Sequence, residues 1–177
     1  MKLRTLLLGT IASVSVWAQA LTYSQLEAEG AKPSARFDGT IAYDPEAGRI
    51  FLFGGSGATG ALNDLWVYSL AQRRWAELKP EGGLPRPRLG HTLLLDPVRK
   101  RLVLFGGQGS GFFSDTWSYD LAGNQWRQLE ADGAGPSRRY GHSGIYDMAR
   151  DQMIVSHGFT DAGRFDDTWA FDLSTNV

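Results

Sequence analysis

The sequence predicts an all-β fold made of repeated four-stranded antiparallel units. Three observations carry that expectation. The phrase "IFLFGG" at 50–55 returns as "LVLFGG" at 102–107, and "MIVSHGF" at 153–159 reads as a worn third copy. A tryptophan segment recurs in register as "NDLWVYSL", "SDTWSYDL" and "DDTWAFDL", placing Trp66, Trp117 and Trp169 at matching positions. No stretch shows a helical period with caps. Matching residues are 51 or 52 apart throughout, and a repeat of about that length means one supersecondary unit per copy, stable only when stacked on its neighbours.

The chain opens "MKLRTLLLGTIASVSVWAQA". A basic start at Lys2 and Arg4, an apolar run and the small-x-small site Ala18-Gln19-Ala20 predict a secretory signal peptide over 1–20, cleaved after Ala20. The apolar run is short of the ~20 residues a membrane span needs, so no membrane association is expected after cleavage. Removing those residues leaves 16 basic against 19 acidic residues, a net charge of −3. That balance offers no basic patch for nucleic acid. The chain has no cysteine, so an exported domain must hold together by burial, and thiolate metal sites are excluded. The expected location is secreted or periplasmic.

Each unit, near 36–78, 88–129 and 139–173, reads in the same order. "PSAR", "PRPR" and "PSRR" place a proline three residues before Arg36, Arg88 and Arg139. A first strand follows, ending at Asp44, Asp96 or Asp147 in a turn written "DPEAGR", "DPVRKR" or "DMARDQ". The second strand runs into paired glycines, whose freedom at positive φ suits a sharp exit. The third is the Trp-x-Tyr/Phe segment with period-two alternation. The fourth, "RRWAEL" and "NQWRQL", aligns Trp75 with Trp126 and Leu78 with Leu129. Large flat tryptophans suit the wedge between neighbouring units, each burying roughly 150–250 Å².

Taken together, P-x-x-R-x-G-H, the FGG pair, the Asn/Asp-Asp-x-Trp strand and the Trp-x-x-Leu strand resemble the Kelch-repeat β-propeller family over nearly all of residues 22–177. The resemblance implies an all-β propeller of three four-stranded blades, the third lacking its outer strand. Two positions depart from the family pattern: Gly39 replaces the first histidine, and Ser156-His157-Gly158 replaces the third FGG. "YSQLEAEGAKPSAR" aligns with "WAELKPEGGLPRPR", so residues 23–26 read as a fourth strand without a blade of its own. In such propellers a terminal strand completes the last blade, which here implies closure by 23–26. Three blades are too few for a ring. Leaving ~600 Å² of blade face uncovered would forfeit on the order of 15 kcal/mol. The favoured expectation is therefore a segment of a six- or seven-bladed chain, and the other is a head-to-tail homodimer.

The P-x-x-R and post-FGG loops are expected on one face, where binding usually sits. Arg36, Arg88 and Arg139 are candidate ligand contacts ringing a channel mouth, suited to carboxylates and sugar hydroxyls. The competing reading makes them scaffold groups paired with loop carboxylates or carbonyls. Phe112 and Phe113 are candidate exposed stacking residues, with packing as the alternative, and Arg164 is a candidate in the third loop. His91 and His142 recur within the repeat and read as structural hydrogen-bonders, and His157 as a loop variant. "GSGATG" at 55–60 matches a dinucleotide fingerprint, but a strand rather than a helix follows it.

No catalytic residue, cofactor or metal is assigned. The expected function is an exported, non-enzymatic module binding a protein or carbohydrate ligand. The alternatives are a structural assembly protein or a sugar-active enzyme. Copper oxidases and mutarotases carry blades of this type. The copper oxidase needs a cysteine crosslinked to tyrosine, which this chain lacks. A mutarotase-like acid/base pair would draw on Glu27, Glu29, Asp38, Glu81, Glu130 or Asp132, which form no diagnostic constellation.

Overall fold

The computed structural model describes residues 21–130 and 133–174, so the expected signal peptide lies outside the described residues. Every regular element among them is a strand. The first blade contains β1 (Thr40–Asp44), β2 (Arg49–Phe53), β5 (Leu65–Ser69) and β6 (Arg74–Leu78), with a small hairpin of β3 (Ser56–Gly57) and β4 (Gly60–Ala61) between β2 and β5. The second contains β7 (Thr92–Asp96), β8 (Arg101–Phe105), β9 (Thr116–Asp120) and β10 (Gln125–Leu129). The third contains β11 (Ser143–Asp147), β12 (Gln152–Ser156) and β15 (Thr168–Asp172), with the hairpin β13 (Phe159–Thr160) and β14 (Gly163–Arg164) inserted. All pairings within the blades are antiparallel, and the registers repeat: Leu52 faces Trp66, Leu104 faces Trp117, and Val155 faces Trp169. The all-β expectation holds, with sheets of four, four and three strands.

The inner strands stand side by side, β7 between β1 and β11. Their entry loops are joined by hydrogen bonds from blade to blade. Gly90 N–H donates to Asp38 O at 3.0 Å, Gly141 N–H to Gly90 O at 2.9 Å, and the Thr40 hydroxyl to His91 O at 2.7 Å. Two apolar clusters fill the wedges. One gathers Phe51, Phe53 and Leu65 of the first blade with Leu93, Leu102, Leu104, Tyr119 and Trp126 of the second. The other joins Val103 and Phe105 of the second blade to Met153, Val155 and Leu173 of the third. Strand alternation explains the split, since successive residues of β8 point to opposite faces and each face meets a different neighbour.

The opposite ends of the blades are held by charge. Asp44, Asp96 and Asp147, each ending an inner strand, accept backbone N–H groups of the following turn and pair with Arg49, with Arg99 and Arg101, and with Arg150. Arg99 also crosses to the third blade, bidentate on Asp151 at 3.0 and 2.5 Å. These aspartates mark the ends of the "TIAYD" phrases, and the sequence reading gave them no role beyond the turn.

Residues 23–26 run without strand pairing in the single chain, with Tyr23 94% exposed. Just after them Glu29 forms a parallel β-bridge to Arg74, matched one blade later by Glu81 to Gln125.

Candidate functional site

The P-x-x-R and post-FGG loops do share one face, and they are stitched together. Arg88 N–H donates to Leu62 O at 2.9 Å while Gly55 N–H donates to Arg88 O at 2.8 Å; Arg139 repeats both bonds with Phe113 O and Gly107 N–H. The Arg88 and Arg139 segments therefore run as short backbone staples along the preceding blade's loop.

The side chains point inward rather than to a channel mouth. Arg88 and Arg139 have 0% of their side-chain surface accessible and Arg36 has 6%. Each guanidinium grips an aspartate of its own blade in a two-pronged pair: Arg36 on Asp64 at 2.6 and 2.9 Å, Arg88 on Asp115 at 2.7 and 2.8 Å, and Arg139 on Asp167 at 2.5 and 2.9 Å. The same Nη1 also donates to the carbonyl of Gly54, Gly106 or His157, and Nε to Ser34, Arg86 or Ser137. The planar fork fits this task, since it satisfies a carboxylate and backbone carbonyls together. The ligand-contact reading of Arg36, Arg88 and Arg139 is corrected accordingly: they are scaffold clips, with no guanidinium face presented to a ligand.

Each aspartate is also the acceptor for the tryptophan two residues on, with Nε1 of Trp66, Trp117 and Trp169 donating at 2.7 Å. The arginine's hydrogen bond, opposed by burial, holds the Asp167 carboxyl down to about 2. At Asp64 and Asp115 burial pushes upward, but the hydrogen bonds from Arg36 or Arg88 and from the tryptophan outweigh it, and both stay below the usual range. Sequence reasoning left these aspartates unassigned. Their signal was present, since all three sit two residues before a repeated tryptophan.

Phe113 is likewise corrected from exposed stacker to packing residue. Its ring lies under Arg88, 4.5 Å from the guanidinium carbon, and Phe165 does the same for Arg139 at 4.3 Å. Such contacts are worth roughly 0.5–2 kcal/mol. Phe165 was missed because it stands alone in "GRFD" without a neighbouring aromatic. Phe112, next to Phe113 in the chain, is half-buried, and Arg164, in β14, is exposed.

His91 and His142 pack edge-on against Phe53 and Phe105, with ring centroids 5.4 and 5.2 Å apart. Each ring is a buried packing group whose ring nitrogens make no hydrogen bond of good geometry, the backbone of Phe53 or Phe105 giving each a weak polar contact. Burial first, then the charges of Arg88 and His142, push His91 down to about 3. Burial and Arg139 push His142 down to about 4. Among the described residues no three metal-ligating side chains converge.

At two positions a non-glycine residue takes the positive-φ place that glycine holds in the other repeats. Asp38 occupies the position of Gly90 and Gly141, takes a φ of 52°, and accepts a hydrogen bond from the Tyr140 hydroxyl two blades away. His157 stands where the other units have Gly54 and Gly106, with φ 62°, and its Nδ1 lies 2.6 Å from the Ser156 hydroxyl.

Comparison with known proteins agrees with this geometry. The KLHDC2/KLHL20/DRC7 Kelch-repeats domain matches residues 13–177. The chain belongs to the Kelch-repeat family. It is similar to mouse Multiple epidermal growth factor-like domains protein 8, 35% identical over 163 residues, which cover 86% of this chain and 6% of that protein. It also resembles Host cell factor homolog hcf-1 of Caenorhabditis elegans, 29% identical over 72% of this chain and 19% of that protein. Tip elongation aberrant protein 1 of Schizosaccharomyces pombe is 35% identical over 53% of this chain and 8% of that protein. The chain thus spans a small part of each of these relatives' length. As in other Kelch domains, the blades form a platform suited to protein interactions.

Proposed function

We propose that this Kelch chain is a protein-binding module that recognises its partner through the loops after each FGG. One observation carries the reading. The recurrent arginines are consumed by Asp64, Asp115 and Asp167, so each blade is locked from within and the loops are left to vary. They do vary, as "GSGATGALN", "QGSGFFS" and "FTDAGRFD". Variable loops on a rigid scaffold are where recognition is built. Contact chemistry then falls to the exposed Arg164 and to Phe112. The half-buried Phe112 ring, in a loop of this face, makes carbohydrate the second ligand class, since a sugar stacks on an aromatic side chain.

Export to the periplasm or outside the cell rests on the leader at 1–20; intact mass of the exported chain starting at Leu21 supports it, and a retained leader overturns it. The test of the loop reading grafts Gly-Ser sequence of equal length over residues 108–112 and 159–164, leaving the aspartates and the stacked Phe113 and Phe165. Loss of partners captured by the unmodified chain, with the β circular-dichroism spectrum kept, is the expected result. Retention of the same partners would move recognition off this face.

A further inference from the structure

We propose that the groove between the first and second blades, at the end away from the post-FGG loops, binds a small carboxylate ligand with an apolar body. This site is separate from the loop face, and either reading can fail without the other.

The groove lies between two four-stranded blades and holds about 600 Å³. A volume of roughly 300–1,000 Å³, mostly apolar with a few polar groups, is ordinary for a small-molecule site. It opens at the turn end of the blades, where Ala47 and Gln72 belong to the turns after β1 and β5. Its floor is the rim of the first apolar cluster. Phe51 is buried there, while Val67, Leu78 and Leu121 pack against the cluster and are only partly covered. Strand alternation puts Phe51 and Val67 on the face of the first blade that meets the second. The room comes from small side chains. Ala47, Val67 and Ala76 line the groove, and one repeat later the same positions carry Arg99, Ser118 and Arg127. The repeat therefore does not require this apolar space, since its second copy fills the positions with polar side chains.

Charge identifies the ligand. Arg49, Arg74 and Lys79 line the groove with one carboxylate, Glu77, which pairs with Lys79 at 2.5 Å. Arg49 donates from one Nη to Asp44 at 2.8 Å, and its buried Nε has no acceptor among the described residues. The corresponding Arg101 of the second blade donates from Nε to Asp96 at 2.9 Å and from Nη2 to the Leu173 carbonyl at 3.2 Å. Among the described residues the Arg74 side chain pairs with no carboxylate. A buried charged donor left without an acceptor is costly, so a partner that supplies one is favoured. A carboxylate does so with charge-assisted bonds to guanidinium N–H groups, while an aromatic or branched alkyl body covers the floor. Such a ligand touches both blades, with Phe51 and Val67 on one side and Tyr119 and Leu121 on the other. Binding should therefore stabilise the two blades together.

Titrating the full chain with 3-phenylpropionate, followed by amide NMR, tests the site. Saturable binding is expected, with Kd on the order of 0.1 mM for a ligand of that size, and shifts at the amides of Val67, Ala76 and Leu121. The melting temperature should rise at saturation. The amide analogue 3-phenylpropanamide, with the same body and no charge, should bind at least tenfold more weakly. Arg74→Gln copies the second blade's Gln125 at an exposed position. It should weaken 3-phenylpropionate at least fivefold and leave the melting of the free chain unchanged. Equal affinity for the acid and the amide overturns the carboxylate assignment. No saturable binding, affinity unchanged by Arg74→Gln, or shifts confined to other parts of the chain overturns the site.

Discussion

Between the first and second blades, Trp126 is buried against Phe53 and Tyr119, and the surrounding Leu102, Leu104 and Leu65 have almost no accessible surface. Between the second and third blades the same two walls, Phe105 and Phe171, face a groove, while Val103, Met153 and Leu173 beneath it are fully packed. The inner half of each wedge is therefore built by strands that both blades already own. The outer half depends on a fourth strand. In a stacked repeat, stability is close to a sum of unit and nearest-neighbour terms, so the difference between these two wedges measures what one outer strand contributes.

The sharpest way to break the comparison is to empty the finished wedge. Trp126→Ala should cost about 3–5 kcal/mol, because it opens a cavity that neighbours on two blades cannot collapse. Trp169→Ala, on the rim of the open groove, should cost well under half of that. Urea denaturation of both variants decides it, and equal losses would mean that the groove is already as tight as its counterpart. Arg88→Ala should be comparable to Trp126→Ala, about 3–5 kcal/mol, since it strands the Asp115 carboxylate and the Gly106 carbonyl. A ligand-binding defect with unchanged melting would instead return Arg88 to the recognition face.

A smaller effect separates the wedges by pH. His91 and His142 are held neutral in the fold, at about 3 and about 4 against 6.5 for a free side chain. The unfolded chain binds more protons in that interval, so stability is present above pH 6.5 and falls as pH drops toward 4. The loss should be about 2 kcal/mol per histidine between pH 7 and pH 5. Asp167 and Asp151, held near 2 chiefly by their arginine partners, lose their contribution only as pH falls below about 4. His91→Phe should flatten the first interval and leave the second; a variant with the unchanged pH profile would show that His91 does not carry it.

The smallest expected contrast is between two glycines of similar backbone. Gly90 has φ +58° and lies under the Tyr140 ring, where an added Cβ would come within 2.4 Å of ring carbons; Gly48 has φ +59° and open space around it. Gly48→Ala should cost about 1 kcal/mol from backbone strain alone. Gly90→Ala should cost at least 2 kcal/mol more, because the Tyr140 hydroxyl is also tied to Asp38 and the ring cannot swing freely. Equal melting temperatures would mean that the latch yields.

Much of this was legible before any coordinates. The period of 51 or 52 residues located every blade strand, because strand, turn and tryptophan signals are local and repeat in step. Direction was not legible. Arg88 and Phe113 are polar and aromatic residues in glycine-rich loops, which reads as a surface. They are turned inward by Asp115, 27 residues on from Arg88, and no local pattern states that a loop carboxylate will face a particular guanidinium. Asp38 shows the same limit more plainly, since its partner Tyr140 is 102 residues away.

The sequence by itself determined the all-β blades and the turns that separate their strands. These follow from alternation, turn residues and repetition, which act within a few residues of chain. Only the tertiary structure decided which side chains are used up in holding blades together and which stay available, because burial and pairing depend on what a neighbouring blade brings. His91 and Arg88 belong to one repeated phrase, yet one packs its ring edge-on against Phe53 and the other donates four hydrogen bonds. That division is set by the shape of the wedge, which no single repeat contains.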